Sequence, residues 1–289
     1  MPYNKKKFNI YKLREWMDDF FFEVHNLLTI LRYIYCLLKE PKIFSLLISN
    51  KEIKNNILGQ KVFIITSGPS LKKIDLSRLK GENIITVNKT FLHPLFAELK
   101  PLYHIINDNK LITGDWDLDW LYQIKKLSPE TTIVLNARWI LNKKLRDYLF
   151  NQEIKCRFTF SELFPTRFGF FSNWYDITKI SVSLGVVGSA LVLSVYLGAK
   201  KIIILGKDSN GLAYEILKQE SHFYGVNSEA NLKEPKDFNI DLFISQSSNR
   251  MWRNISYYCR KRSIKVFNSF PLGLVDAFEG ITYEESLEI

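Results

Sequence analysis

The stretch KVFIITSGPSLKKID, residues 61–75, decides how the rest of the chain is read. From Val62 to Thr66 every residue is β-branched or aromatic, with no polar alternation. That is the mark of a strand covered on both faces, as in a parallel sheet flanked by helices. Ser67-Gly68-Pro69-Ser70 then turns the chain: Gly68 permits close approach of the backbone, and Pro69 fixes the exit angle. Working outward, NIITVN (83–88), YHIIN (103–107), TTIVLN (131–136) and KIIIL (201–205) repeat the pattern, and IKVF (264–267) reads as a last strand. Helical stretches fall between them: DWLYQIKKL from Asp119, LNKKLRDYLF after Ile140, SALVLSVYLGAKK after Gly188, and a long one around Asn249–Arg262. The alternation predicts an α/β class, a Rossmann-like, mostly parallel sheet flanked by helices, with an N-terminal helical extension. In such a sheet the binding crevice lies at the carboxyl ends of the strands.

Length and composition set the frame. The 289 residues suit one large domain with an appendage, here 1–57 as the helical extension and 58–289 as the Rossmann-like domain. Hydrophobic residues make up 46% of the chain, enough for a sizeable core, and no repeat or low-complexity linker interrupts it. A net charge of +10 favours negatively charged partners: nucleotides, acidic glycans or an anionic membrane face. Nucleic acid ranks last, because neither a zinc-ligand pattern nor an RNP-type motif is present. Cys36, Cys156 and Cys259 are too widely spaced for a disulfide framework or a metal pair, which fits a reducing cytoplasm. No cleavable apolar core follows MPYNKKKFNIYKLREW, so no signal peptide is expected. Glu23, His25 and Arg32 break the apolar run from Phe20 to Leu38, which argues against a membrane span. Phe21, Leu27, Leu28, Leu31, Ile34 and Leu38 recur at near-helical spacing and predict an amphipathic helix packed on the domain. The alternative is a helix lying on anionic lipid, with Lys5, Lys6, Lys7, Lys12 and Arg14 meeting headgroups.

Candidate chemistry gathers at the predicted strand ends. Ser67, Gly68, Pro69 and Ser70 suit an anion, through backbone N–H groups and two hydroxyls; an ordinary turn with Ser70 as helix cap is the bland alternative. Asn88, Asn107 and Asn136 each close a strand with a side chain that donates and accepts at once, suited to a ribose, base or phosphate. Gly185 and Gly188 precede a helix expected to start at Ser189, with its positive end toward the crevice. After KIIIL, Lys207 can neutralise phosphate, and Asp208 can orient a sugar hydroxyl or hold a turn. His222, in ESHFYG (220–225), lies on an excursion beyond that strand, where an imidazole near neutral pKa can take a proton from a hydroxyl. Asp115-x-Asp117-x-Asp119 imitates a metal-binding D-x-D, though acids at a helix start serve equally.

Taken together, S-G-P-S-L-K-K-I-D, the strand-end asparagines, the LGAKKIIILGKD order (197–208) and S-H-aromatic resemble the Campylobacter-type sialyltransferases, glycosyltransferase family 42. They also resemble the related Maf-type proteins of flagellin and surface-polysaccharide glycosylation and the archaeal hydroxymethylpterin pyrophosphokinases. The similarity covers roughly residues 58–280. It implies a GT-A variant that uses a CMP-activated acidic sugar without a metal or other cofactor, acting on a bacterial surface glycan or lipid-linked glycan, at the inner membrane face or in the cytoplasm. Gly68, Pro69 and Ser70 would form the phosphate loop, Asn88 and Asn107 would contact the donor, and His222 would be the general base. The tail KVFNSFPLGLVDAF (265–278) would bring Asn268 near the nucleotide. Self-association is left open. Two departures stand out: Ser67 replaces an Asn, and the two tyrosines that assist phosphate departure fall on Ile203 and Asn210, with Lys207, Tyr214 or Tyr224 as substitutes. The donor could therefore carry sialic, pseudaminic, legionaminic or another acidic sugar. The rival readings are a pyrophosphokinase-like enzyme using ATP, a metal-dependent nucleotide-sugar transferase and a non-catalytic binding module.

Overall fold

The computed structural model describes residues 10–168, 170, 174–209, 211–225, 234–270 and 275–289. Its strands are β1 (Lys61–Ile65), β2 (Ile84–Val87), β3 (Tyr103–Ile105), β4 (Thr132–Asn136), β5 (Cys156–Leu163), β6 (Ile180–Val182), β7 (Lys201–Leu205), β8 (Lys265–Asn268) and β9 (Glu279–Gly280). They form one sheet in the order β6-β5-β4-β3-β2-β1-β7-β8-β9. Every pairing is parallel. The helices are α1 (Ile10–Lys39), α2 (Lys42–Ile48), α3 (Phe96–Leu99), α4 (Lys110–Thr113) and α5 (Asp119–Leu127). After them come α6 (Lys143–Asn151), α7 (Gly185–Tyr196), α8 (Gly211–Ile216), α9 (Pro235–Lys261) and α10 (Tyr283–Glu288).

The predicted strands all exist. Val62 to Ile65 are fully buried because the sheet is covered on both faces. One face packs into a large core that includes Val62, Ile64, Ile85 and much of α7, while Phe63, Ile65, Leu71, Ile84, Ile203 and Phe267 form a smaller core on the other. Apolar side chains clothe α7 all round, as suits a helix with almost no exposed face. It starts at Gly185, a full turn before the expected Ser189, so Gly188 and Ser189 lie inside its first turns. Cys36, Ile43, Leu47, Ile53 and Ile57 join the large core, so the extension over 1–57 shares the interior of the domain that follows it.

β5 was not anticipated, since CRFTFSEL mixes charged and apolar residues. Its register against β6 slips between Ser161 and Leu163. Glu162 is the extra residue of this bulge, a device that re-aims a side chain. It accepts from Asn136 at 2.9 Å and meets the Arg138 guanidinium at 3.2 Å.

α1 corrects the expectation in one respect. It does pack on the domain, but with a side that is polar from Asp19 to Thr29 and apolar only at Ile30, Tyr33, Cys36 and Leu37. Asp19, Glu23, Asn26 and Thr29 are buried, whereas Phe21, Leu27, Leu28, Leu31, Ile34 and Leu38 are 46% to 77% exposed. The Asn26 amide clasps the backbone of Phe164 from both sides, donating to its carbonyl at 2.9 Å and accepting from its N–H at 2.7 Å. Buried Asp19 lies 3.4 Å from both Arg167 and Arg250. Burial raises its carboxyl pKa, and the two guanidinium groups oppose that rise. By length and composition Leu13–Lys39 is long and apolar enough to cross a membrane. Lys5, Lys6 and Lys7 lie outside the described residues.

His104 is a structural histidine. It sits fully buried on β3, its Nδ1 2.8 Å from the Thr86 hydroxyl of β2, with Phe91 and Phe96 edge-on to the ring. Burial pushes its pKa down to about 3. The unfolded chain therefore takes up a proton near the ordinary value of 6.5 that the folded chain refuses until about 3. Stability present above 6.5 is lost as the pH falls across that window. Urea unfolding between pH 6 and 4 should lose about 1.4 kcal/mol per pH unit from this group. A His104→Leu chain should show a slope flatter by that amount.

Candidate active site

Sheet order reverses between β1 and β7, and an α/β sheet opens its crevice at such a switch point. A cavity of about 350 Å³ lies there, lined by Ser67, Gly68, Pro69, Asn88, Lys207 and Asp208 among others. A larger hollow of about 470 Å³ sits at the amino ends of the strands, between Lys54, Tyr196 and Arg262. The smaller cavity gathers the turns at the carboxyl ends of β1, β2 and β7, and we place the chemistry there.

The loop after β1 is fastened to the loop after β7. Thr66 N–H donates to the Leu205 carbonyl and Gly68 N–H to that of Gly206, both at 2.9 Å. Ser70 N–H donates to Asp208 at 2.9 Å, and its hydroxyl donates to the other oxygen of the same buried carboxylate. A side-chain carbon on Gly68 would stand 2.1 Å from the Gly206 carbonyl oxygen and 2.7 Å from Asp208. Glycine is required at 68 so that two loops can touch, which replaces the expectation that it makes room for a ligand. Gly206 itself has φ +73°, a left-handed conformation suited to glycine. Of the two roles open to Asp208, the geometry selects holding the turn. With three loop N–H groups already engaged, positive charge for an anion comes from elsewhere. Lys207 lines the cavity, and burial lowers the pKa of its ammonium while Asp208 pulls it upward. Val186 and Val187 bring the amino end of α7 to the same wall, where the helix dipole is positive.

His222 faces the loop. Its Nδ1 lies 3.2 Å from the Ser67 hydroxyl, a contact whose donor depends on the tautomer. The turn that carries it is pinned in place: His222 and Gly225 form an antiparallel bridge, and Phe223 N–H donates to the Ser67 carbonyl at 3.0 Å. Tyr224 stacks on the imidazole at 4.8 Å. Lys89 Nζ stands 5.4 to 5.6 Å from the rings of Trp116, Trp120 and Tyr224, which sets an aromatic surface beside His222.

The asparagines divide. Asn88, at φ +46°, lines the cavity, whereas Asn107 and Asn136 belong to an adjoining hydrogen-bonded row. Asn136 donates to Glu162 and, at 3.3 Å, to Asn107. Asn107 donates to the Ser189 hydroxyl at 3.0 Å, and Ser189 meets Ser183 at 2.9 Å. Gly188 packs against Leu184 and Ser183. Asn268 is buried on β8, its amide 3.4 Å from the Lys207 carbonyl, and supports the loop from behind. Ile203 is fully buried mid-strand in the smaller core, and Asn210 lies outside the described residues. Tyr214 sits on α8, beside cavity-lining Gly211 and Leu212.

Sequence reading missed one wall. Ser245, Ser248, Asn249 and Trp252 of α9 line the cavity. Their i, i+3, i+4, i+7 spacing puts them on one helical face, a signal that was present in the sequence. α9 begins at Pro235, inside a capping box of Glu234 and Asp237, fourteen residues before the predicted start.

The acidic run offers no assembled metal site: Asp115 accepts from Thr113, Asp117 from the Asp119 N–H, and Asp119 from Gln123 and Tyr148. Among the described residues no group of three or more His, Cys, Asp or Glu side chains is arranged so that it could hold a metal ion.

No family model matches the chain, and no curated protein does. Among solved structures it is similar to the sialyltransferase CstII from Campylobacter jejuni in complex with a substrate analogue, cytidine-5'-monophosphate. That match has 18% identity over 78% of this chain and 86% of that one, with a TM-score of 0.42. It is also similar to the sialyltransferase CST-II in complex with a trisaccharide acceptor and CMP, at 20% identity over 77% and 86%, with a TM-score of 0.42.

The clasp makes a direct prediction. Gly68→Ala should cost about 2–3 kcal/mol, because backbone rather than a flexible side chain blocks the new methyl group. Thermal unfolding measures it, and an unchanged midpoint would mean that the two loops separate freely.

Proposed function

We propose that the chain is an inverting, sialyltransferase-like glycosyltransferase that moves a nonulosonic sugar from a CMP-activated donor to a glycan. The observation that carries this reading is the 3.2 Å approach of the His222 imidazole to Ser67 of the β1 loop, on the wall of one cavity. An acidic sugar leaves CMP from a tertiary anomeric carbon through an oxocarbenium-like state, so the attack needs little nucleophilic push. His222 would take the proton of the acceptor hydroxyl, with Nδ1–H donating to Ser67 and Nε2 as the base. Ser67 is then a positioning residue, not a proton carrier. Charge building on the departing phosphate would meet Lys207 and the amino end of α7, which replace the family tyrosines without a metal. Asn88 would touch the donor, and Asn107, Asn136, Ser189 and Asn268 would hold the surrounding wall. The acceptor would approach over Tyr224, Trp116 and Trp120. CMP-activated donors and a cytoplasmic site of reaction go with this reading, and a surface glycan is the acceptor class it implies.

The test is release of CMP from a panel of CMP-activated nonulosonic acids, since hydrolysis needs no known acceptor. His222→Ala should lower turnover by about two to four orders of magnitude. CMP affinity should change little in that variant, and Ser67→Ala should lower turnover less. Near-normal turnover without His222 removes it as base. Saturation-transfer NMR that shows ATP with Mg²⁺ bound in preference to CMP favours the pyrophosphokinase reading, and activity abolished by a chelator favours the metal-dependent one.

A further inference from the structure

For a helix on a water-exposed surface, α1 is inside out. Twelve large apolar side chains between Leu13 and Leu38 are 42% to 77% exposed, among them Trp16, Phe20, Leu27 and Leu31. At 3.6 residues per turn they fill one unbroken arc of about 140° along the outer side. Charge is sorted in the same way. The acidic residues of this helix, Glu15, Asp18, Asp19 and Glu23, contact Arg167, Arg250 and Thr166 of the domain. Arg14, Arg32 and Lys39 are exposed at the border of the apolar arc, Arg32 also lying 3.8 Å from Glu162 of the domain, and no acid of the helix interrupts the arc. Exposed faces this large on soluble proteins are binding sites.

We propose that the outer face of α1 is seated on an anionic phospholipid bilayer, the helix lying in the plane of the interface. Apolar side chains enter the acyl boundary, and the bordering cations meet anionic headgroups. The charge border selects this occupant over a second copy of the chain. Antiparallel pairing across a two-fold axis would set Arg14 of one copy toward Lys39 of the other with no acid between them. A membrane-crossing helix is disfavoured by the inner side, where Asp19 and Asn26 are committed to Arg250 and Phe164 of the domain. The docking does not depend on the reaction proposed above. It does join the cavity to the surface, because Arg250 follows cavity-lining Asn249 on α9 and holds Asp18 and Asp19 of α1.

The test is flotation of the full chain with vesicles of phosphatidylcholine alone or with about one third phosphatidylglycerol. Binding should be about tenfold or more stronger on the anionic vesicles. A chain carrying Phe20→Ser, Leu27→Ser and Leu31→Ser should bind at least about a hundredfold more weakly. Its circular dichroism melt should be unchanged, because these side chains face water. Phe150→Ser, at a position 81% exposed on α6, should bind like the parent. Four results would overturn the proposal, and three of them concern binding itself: no vesicle binding, undiminished binding of the triple variant, or a stable dimer that the triple variant abolishes while vesicles capture nothing. The fourth is binding that survives a carbonate wash at high pH, which would instead mean that α1 crosses the bilayer.

Discussion

The contact between Gly68 and the Gly206–Asp208 turn is the constraint on which the site depends. A parallel sheet leaves its β1 and β7 loops side by side at the switch point but does not by itself bind them. Here the missing side chain at 68 lets one backbone lie on the other, and the Asp208 carboxylate fastens Ser70 with two hydrogen bonds. Ser67 is thereby held still, and Ser67 in turn meets the imidazole and the backbone of the turn that carries it. Rigidity flows from sheet to loop to histidine. A side chain on an untethered excursion would be poorly aimed, and this order of contacts removes that freedom.

Much of the fold could be read in advance because burial on both faces leaves a plain imprint. Runs such as VFII (62–65) and IIIL (202–205) have no polar residue to spare for solvent, and each forms the body of a strand. The clustering of Gly68, Asn88 and Lys207 was also legible, because the parallel-sheet rule places the ends of strands together before any coordinate is known, whereas His222, on an excursion beyond β7, was reached through the S-H-aromatic motif. The division of labour among them was not. Whether Asp208 meets a ligand or a serine, and whether Asn107 faces a cavity or Ser189, depends on which neighbour arrives across more than eighty residues of chain. β5 escaped for a related reason: its charged residues are answered by partners from other elements, as Glu162 is by Arg138, so its burial leaves no apolar run.

The reversal of α1 has the same root. Periodicity locates an apolar stripe but not the direction in which it faces. The first half of the buried side is paired charge by charge and amide by backbone, and only Ile30, Tyr33, Cys36 and Leu37 pack on the core, so the outer apolar stripe is left to face away from the domain. Both sides of the helix are thus specified, one by polar complementarity and the other by apolar continuity.

The ion pairs between α1 and Arg250 have a practical consequence. An experimenter troubled by a greasy leading helix would be tempted to trim it away to improve handling. Removing it would strip the carboxylates of Asp18 and Asp19 from a guanidinium that is only 9% exposed, next door to Asn249 in the cavity wall. The shortened protein would carry an uncompensated cation one residue away from its own cavity wall, and any measurement made on it would describe a different electrostatic environment from the native one.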